Sequence, residues 1–77
     1  MKYIRYKNHG MFIWPNRTGG ISHKAMSKML NFEGDILASA GFILTGHDNN
    51  LHCYGESLSL RLCSAEEDSD ILRKELL

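Results

Sequence analysis

Four side chains of the types that bind zinc lie in the second half of the chain: His47, His52, Cys53 and Cys63. Structural zinc sites usually use two pairs of ligands, each pair separated by a few residues. The four residues do not form that double pair, and the neighbouring His52 and Cys53 would point to opposite faces of a strand. We therefore expect neither a metal nor a cofactor.

A covalent mechanism would need a nucleophile, a histidine and an orienting acid close together. Cys53, His52 and Glu56 are close in sequence, but no nucleophile-elbow motif surrounds them. The chain is also short for the scaffold that a substrate cleft requires. Gly19-Gly20 precedes a helix start at Ser22 without a phosphate-loop motif and is typical of a plain loop. We expect that the protein is not an enzyme and that both cysteines are free thiols, buried or half-buried.

Basic and aromatic residues are interleaved in the first part of the chain. Basic groups neutralise phosphates and aromatic faces stack on unpaired bases, so this pattern suits single-stranded DNA or RNA. No RRM, KH or zinc-finger motif accompanies it, and the aromatic residues would suit a sheet core equally well. The basic residues of this alternative are Lys2, Arg5, Lys7, Arg17, Lys24 and Lys28, and its aromatic residues are Tyr3, Tyr6, Phe12 and Trp14.

An acidic cluster near the C-terminal end favours a protein interface as the first interpretation. The acidic cluster consists of Glu66, Glu67, Asp68 and Asp70. A compact charged patch suits a basic partner, although the dipole at the start of a helix also explains acids there. Aromatic and methionine side chains are typical anchors of interface cores. We expect Trp14 to be such an anchor, with Ile43 and Leu77 also exposed.

Two hairpins and two helices are predicted to position these residues. Residues 2–7 and 11–14 read as strands around the turn Asn8-His9-Gly10, and Pro15 ends the second because it cannot donate to a ladder.

The longer hairpin pairs residues 36–44 with 51–60 around a turn-rich segment at residues 45–50. The even-numbered positions of 36–44 are all apolar and are expected to face the core. The apolar phase then flips near Gly55, which predicts a bulge or bend at residues 54–56.

The first helix is predicted to start at the N-cap Ser22 and to end at Asn31 or Gly34. The second is predicted to start with a capping box formed by Ser64 and Glu67. The other members of the acidic cluster should then face solvent, with Asp70 paired to Lys74.

The sequence therefore predicts an α+β fold, ββαββα, with an antiparallel sheet of about four strands and two helices on one face. Its 77 residues form one small domain. So small a core favours self-association, which leaves a homodimer open. The net charge is zero, but residues 33–77 hold all the acids, and the two halves would neutralise each other across the fold. No leader or membrane span is expected.

Three segments resemble small uncharacterised proteins of bacteriophages and prophages: Ser39-Ala40-Gly41-Phe42, Cys53-Tyr54-Gly55-Glu56-Ser57, and Ser64-x-x-x-Asp68 before Leu72. The resemblance spans about half of the chain. It implies an accessory protein of a bacterial cytoplasm, and some proteins of this kind, such as anti-CRISPR proteins, inhibit host defence by binding a target. The first hypothesis is thus a non-enzymatic protein that binds a protein partner, and the alternative is a nucleic-acid-binding protein.

Overall fold

The computed structural model describes residues 1–76, with the side chain of Leu76 left out. Six strands and two helices occur in these residues. They are β1 Lys2–Tyr6, β2 Gly10–Trp14, α1 His23–Leu30, β3 Leu37–Thr45, β4 Leu51–Tyr54, β5 Glu56–Ser57, β6 Leu62–Cys63 and α2 Asp68–Leu76. Leu77, predicted to be an exposed anchor, lies outside the described residues.

The first four strands form one antiparallel sheet in the order β2-β1-β3-β4, so the predicted α+β fold and four-stranded sheet are confirmed. Gly10 closes the β1–β2 turn with a φ of +81°, a left-handed backbone that glycine adopts without strain. The carboxylate of Asp35 fixes the same turn by accepting hydrogen bonds from the backbone N–H groups of Asn8 and His9. The predicted turn at residues 8–10 is therefore tied to the start of the second hairpin.

A β-bulge near the start of β3 changes the predicted facing of that strand. Arg5 pairs with Ser39 and Tyr6 pairs with Leu37, so Ala38 is the extra residue. The prediction that all even positions of 36–44 face the core is wrong. Ile36, which precedes β3, and Leu44 are exposed, whereas Ile43 on the opposite face is buried against Leu72 of α2.

The predicted bend at residues 54–56 is confirmed, but the strand does not continue to Leu60. Gly55 has a φ of +77°, and this left-handed residue turns the chain out of the main sheet. β5 then pairs with β6 in a separate two-stranded sheet. These strands lie beside β3, and Leu60 of the turn between them and Leu62 of β6 pack against the core.

The two helices pack on opposite faces of the main sheet, which corrects the prediction that they share one face. Ile4 packs in the cluster that holds Met26 of α1, whereas the adjacent Tyr3 packs with Leu72 of α2. Neighbouring side chains of a strand point to opposite faces. Because β1 buries side chains on both faces, each face is covered by one helix.

Helix α1 begins and ends as predicted. The Oγ atom of Ser22 accepts a hydrogen bond from the backbone N–H of Ala25, at 3.1 Å. Asn31 ends the helix in the left-handed conformation, and its N–H donates to the Ser27 carbonyl at 3.1 Å.

Helix α2 begins at Asp68, and the predicted capping box of Ser64 and Glu67 does not form. The Asp68 carboxylate accepts the backbone N–H of Ala65 at 2.9 Å and so closes the turn before the helix. Asp70 pairs with Arg73, at 3.6 Å, in place of the predicted Lys74.

Candidate functional site

Trp14 is buried and does not act as an exposed anchor. Its side chain is 8 % exposed, and its Nε1–H donates to the carbonyl of Ile21 at 2.8 Å. An indole with its N–H paired in the core is a structural element. The prediction that Ile43 is exposed is also wrong, because Ile43 is buried against α2.

Asp68 and Arg5 form a buried ion pair, so neither is available on the charged surfaces that the sequence predicted. The Asp68 carboxylate is fully buried and accepts hydrogen bonds from the Tyr3 hydroxyl at 2.5 Å and from Arg5 Nε at 2.8 Å. The Arg5 side chain is 15 % exposed and also reaches Glu67, at 3.2 Å. Arg5 of the basic half is thus neutralised by acids of the other half, whereas Lys7, Arg17, Lys24 and Lys28 stay exposed.

The pKa values of this pair follow from its surroundings. Burial acts to raise the pKa of Asp68, but the hydrogen bonds from Tyr3, from the Ala65 N–H and from Arg5 outweigh it, and the pKa is lowered. Burial and the adjacent Asp68 charge raise the pKa of the Tyr3 hydroxyl. Tyr3 thus stays protonated and donates to an ionised carboxylate.

The acidic cluster is divided by these contacts. Asp68 is in the core, whereas Glu66, Glu67 and Asp70 are exposed, with Glu67 in contact with Arg5 and Asp70 in contact with Arg73. The surface part of the acidic cluster therefore consists of three acids, two of which are paired with arginines.

The basic alternative also loses most of its aromatic partners. Tyr3, Tyr6 and Trp14 are buried, so their faces are closed to bases. The Lys2 ammonium donates to the Ile21 carbonyl at 3.1 Å. The remaining basic residues are exposed: Lys7, Arg17, Lys24 and Lys28.

The histidine and cysteine residues serve separate local roles. His52 receives a hydrogen bond from the Arg73 guanidinium at Nδ1, 3.1 Å away, so its Nε2 carries the proton and donates to Asp48 at 3.0 Å. That bond is the main cause that lowers the pKa of Asp48 to about 2. Both cysteines are free, and Cys63 is exposed, which corrects its predicted burial. Within residues 1–75 no three acidic, histidine or cysteine side chains cluster as metal ligands.

An open groove lies on the α1 side of the sheet, where α1, the end of β4 and β5 meet. We call it the aromatic groove. Its volume is about 570 Å³, within the range of ligand-binding clefts. The residues that line it include Lys2, His23, Phe42, Tyr54, Glu56 and Leu58.

The floor of the aromatic groove is a series of rings that leads from the core to the surface. The ring centroid of His23 lies 5.6 Å from that of Trp14 and 5.3 Å from that of Phe42, both edge to face. The Phe42 and Tyr54 rings follow at 5.9 Å. His23 Nε2 donates to the Gly41 carbonyl at 2.8 Å, which holds the imidazole in the floor. The series is therefore anchored at its inner end.

The outer end of the aromatic groove presents apolar side chains to solvent. Tyr54 is 47 % exposed, and Leu58 is 81 % exposed at a turn. Lys2 and Glu56 supply one charge of each sign at the rim. An apolar patch with a polar rim has the composition of a small interface core.

The sequence did not identify Phe42, Tyr54 and Leu58 as site residues. The available signal was the even-position pairing of Phe42 with Tyr54 across β3 and β4, followed by the break at Gly55. Because of that break, Leu58 lies outside the main sheet, in the turn after β5.

Comparison of the chain with protein-family models, with curated proteins and with solved structures finds no match. No helix in the described residues is long and apolar enough to cross a membrane.

Proposed function

We propose that this protein is a non-enzymatic binding module that docks a protein partner in the aromatic groove. The observation that carries the proposal is the exposure of Tyr54 and Leu58 beside the half-buried ring of Phe42. Aromatic side chains such as those of Tyr54 and Phe42 are enriched at interface centres, where they fill or receive a partner's side chains.

The chemistry of the groove defines the partner that it suits. Its floor offers ring faces to an aliphatic or aromatic side chain, while Lys2 and Glu56 would pair with charged groups on either side. We propose a protein segment that presents one apolar anchor flanked by polar residues. The phage resemblance extends this proposal to a target in the bacterial cytoplasm, such as a component of a host defence complex.

The test is a capture experiment from bacterial lysate in which wild-type protein is compared with Leu58→Glu. Leu58 is in a turn and almost fully exposed, so the substitution should leave the fold intact while it places a charge in the groove. Partners that use the groove should be retained by wild type and lost with the variant.

Met29→Glu is the matched control. Met29 is 67 % exposed on α1 and does not line the groove. A partner that is lost equally with both variants, or with neither, would argue against docking in the groove.

Binding of single-stranded nucleic acid is the second candidate, and one observation favours it. Lys2 lies in the same groove as the exposed Tyr54 and the ring of Phe42, which combines a cation with stacking surfaces. A titration of a labelled oligonucleotide at increasing salt separates the candidates. Affinity that falls steeply with salt, and that Tyr54→Ala weakens, would support nucleic acid. No binding at low salt would remove this candidate.

A further inference from the structure

Within the described part of the chain, the outer edge of β2 is unpaired, and the strand carries no charged side chain. β2 is the first strand of the sheet order and has the sequence Gly-Met-Phe-Ile-Trp. Natural sheets usually protect such edges with charges, prolines or covering elements, because a bare edge pairs with another strand. Pro15 follows β2 but lies outside it.

The hydrogen bonds of β1 determine which groups of β2 point outward. Met1 and Ile43 exchange two backbone hydrogen bonds, at 2.8 and 3.2 Å. Bonding direction alternates along an antiparallel strand, so odd residues of β1 bond to β3 and even residues bond to β2. The even residues pair with Gly10, Phe12 and Trp14. The N–H and C=O groups of Met11 and Ile13 therefore point away from the sheet.

The opposite edge of the same sheet, formed by β4, is covered by α2. In β4 the outward groups belong to Leu51 and Cys53. Helix α2 satisfies two of them: Cys53 N–H donates to Ser69 Oγ at 2.8 Å, and Arg73 Nε donates to the Leu51 carbonyl at 3.0 Å. Within the described residues, no such partner meets the outward groups of Met11 and Ile13.

We propose that β2 pairs antiparallel with β2 of a second copy of this chain, centred on Phe12. In that register Met11 of each copy faces Ile13 of the other, and all four outward groups of each strand are bonded. The two Phe12 residues form the central pair. The result is a two-fold dimer with one continuous eight-stranded sheet.

Charge at the two ends of β2 supports a second copy as the occupant. Glu75 of α2 approaches Gly10, with a carboxylate oxygen 3.3 Å from the position that a Cβ on this glycine would take. Arg17, exposed, follows the other end of the strand. Antiparallel pairing brings opposite ends together, so Glu75 of each copy would lie at the end of β2 that Arg17 of the other copy follows.

The test is sedimentation equilibrium from micromolar to millimolar concentration. Wild type should associate to twice the chain mass of 8.8 kDa, and Ile13→Lys should weaken association about tenfold or more, because edge lysines block strand pairing. Ile36→Lys is the control, since Ile36 is exposed outside β2, and should associate like wild type. A monomer at millimolar concentration, or a dimer that Ile13→Lys leaves unchanged, would overturn the proposal.

Amide hydrogen exchange on the wild type needs no variant. The amides of Met11 and Ile13 should exchange quickly in dilute protein and slow as concentration rises, whereas the Phe12 amide should be protected throughout. Fast exchange at Met11 and Ile13 under conditions where the protein is dimeric would place the contact elsewhere. Because the edge of β2 is separate from the aromatic groove, loss of dimerisation would leave partner binding in the groove intact, and loss of partner binding would leave dimerisation intact.

Discussion

Removal of the Asp68 carboxylate should destabilise the protein more than any other single change in the acidic cluster. The carboxylate is fully buried and accepts hydrogen bonds from Tyr3, Arg5 and the Ala65 N–H. Asp68→Ala would leave the guanidinium of Arg5 without its buried partner and the Tyr3 hydroxyl without an acceptor. Loss of one member of a buried pair costs about 3–5 kcal/mol. Because a domain of this length has about 4–12 kcal/mol in total, the variant should be close to unfolding.

Urea unfolding followed by circular dichroism gives the comparison. Asp70→Ala is the matched control, because Asp70 is exposed and its contact with Arg73 is 3.6 Å long. Its cost should stay within about 0.5 kcal/mol. Equal unfolding midpoints for the two variants would refute the reasoning, since Asp68 would then contribute no more than a surface acid.

Three further predictions concern Asp68, the helix caps and the cysteines. The pKa of Asp68 is lowered in the fold. The stabilisation that ionised Asp68 gives the fold is therefore complete above the unfolded pKa of about 3.9 and is lost as the pH falls below that value. The urea midpoint should drop on acidification, and a flat profile would contradict this. In urea unfolding, Ser22→Ala should cost about 1 kcal/mol and Ser64→Ala less than about 0.5 kcal/mol, because of these two serines only Ser22 caps a helix. Equal costs would indicate that Ser64 caps α2 after all. A thiol reagent should modify the exposed Cys63 before Cys53, whose pKa is raised by burial and by the Asp68 charge; the reverse order would count against the packing of Cys53.

The local elements were predictable because their determinants are close in sequence. Ser22 and Asn31 form the two ends of α1 through contacts within one helical turn. The loop before Gly10 joins β1 and β2, which are consecutive strands that pair with each other. The α+β class follows from the same local signals.

The start of α2 shows what local pattern does not decide. Residues 64–68 can form a capping box, which satisfies helix N–H groups, or a turn in which Asp68 accepts the N–H of Ala65 before the helix. The choice depends on Tyr3 and Arg5, which reach Asp68 across sequence separations of 65 and 63 residues. No spacing within the last helix contains that information.

The faces of the sheet were mispredicted for a related physical reason. The bulge at Ala38 and the buried side chains on both faces of β1 place the helices on two sides of the sheet. The aromatic groove then results from the break at Gly55, which sets Leu58 beside Tyr54. Its residues are ordinary strand and turn residues in sequence, and only the packing makes them neighbours.

The most direct test of the central claim is a calorimetric titration of a captured protein partner against wild type, Tyr54→Ala and the double variant Glu66→Lys/Asp70→Lys. Docking in the aromatic groove predicts that Tyr54→Ala weakens binding by about 2 kcal/mol, the scale of an aromatic anchor, while the double charge reversal changes the affinity little. Unchanged affinity for Tyr54→Ala, with binding abolished by the double variant, would contradict the account and move the interface to the start of α2.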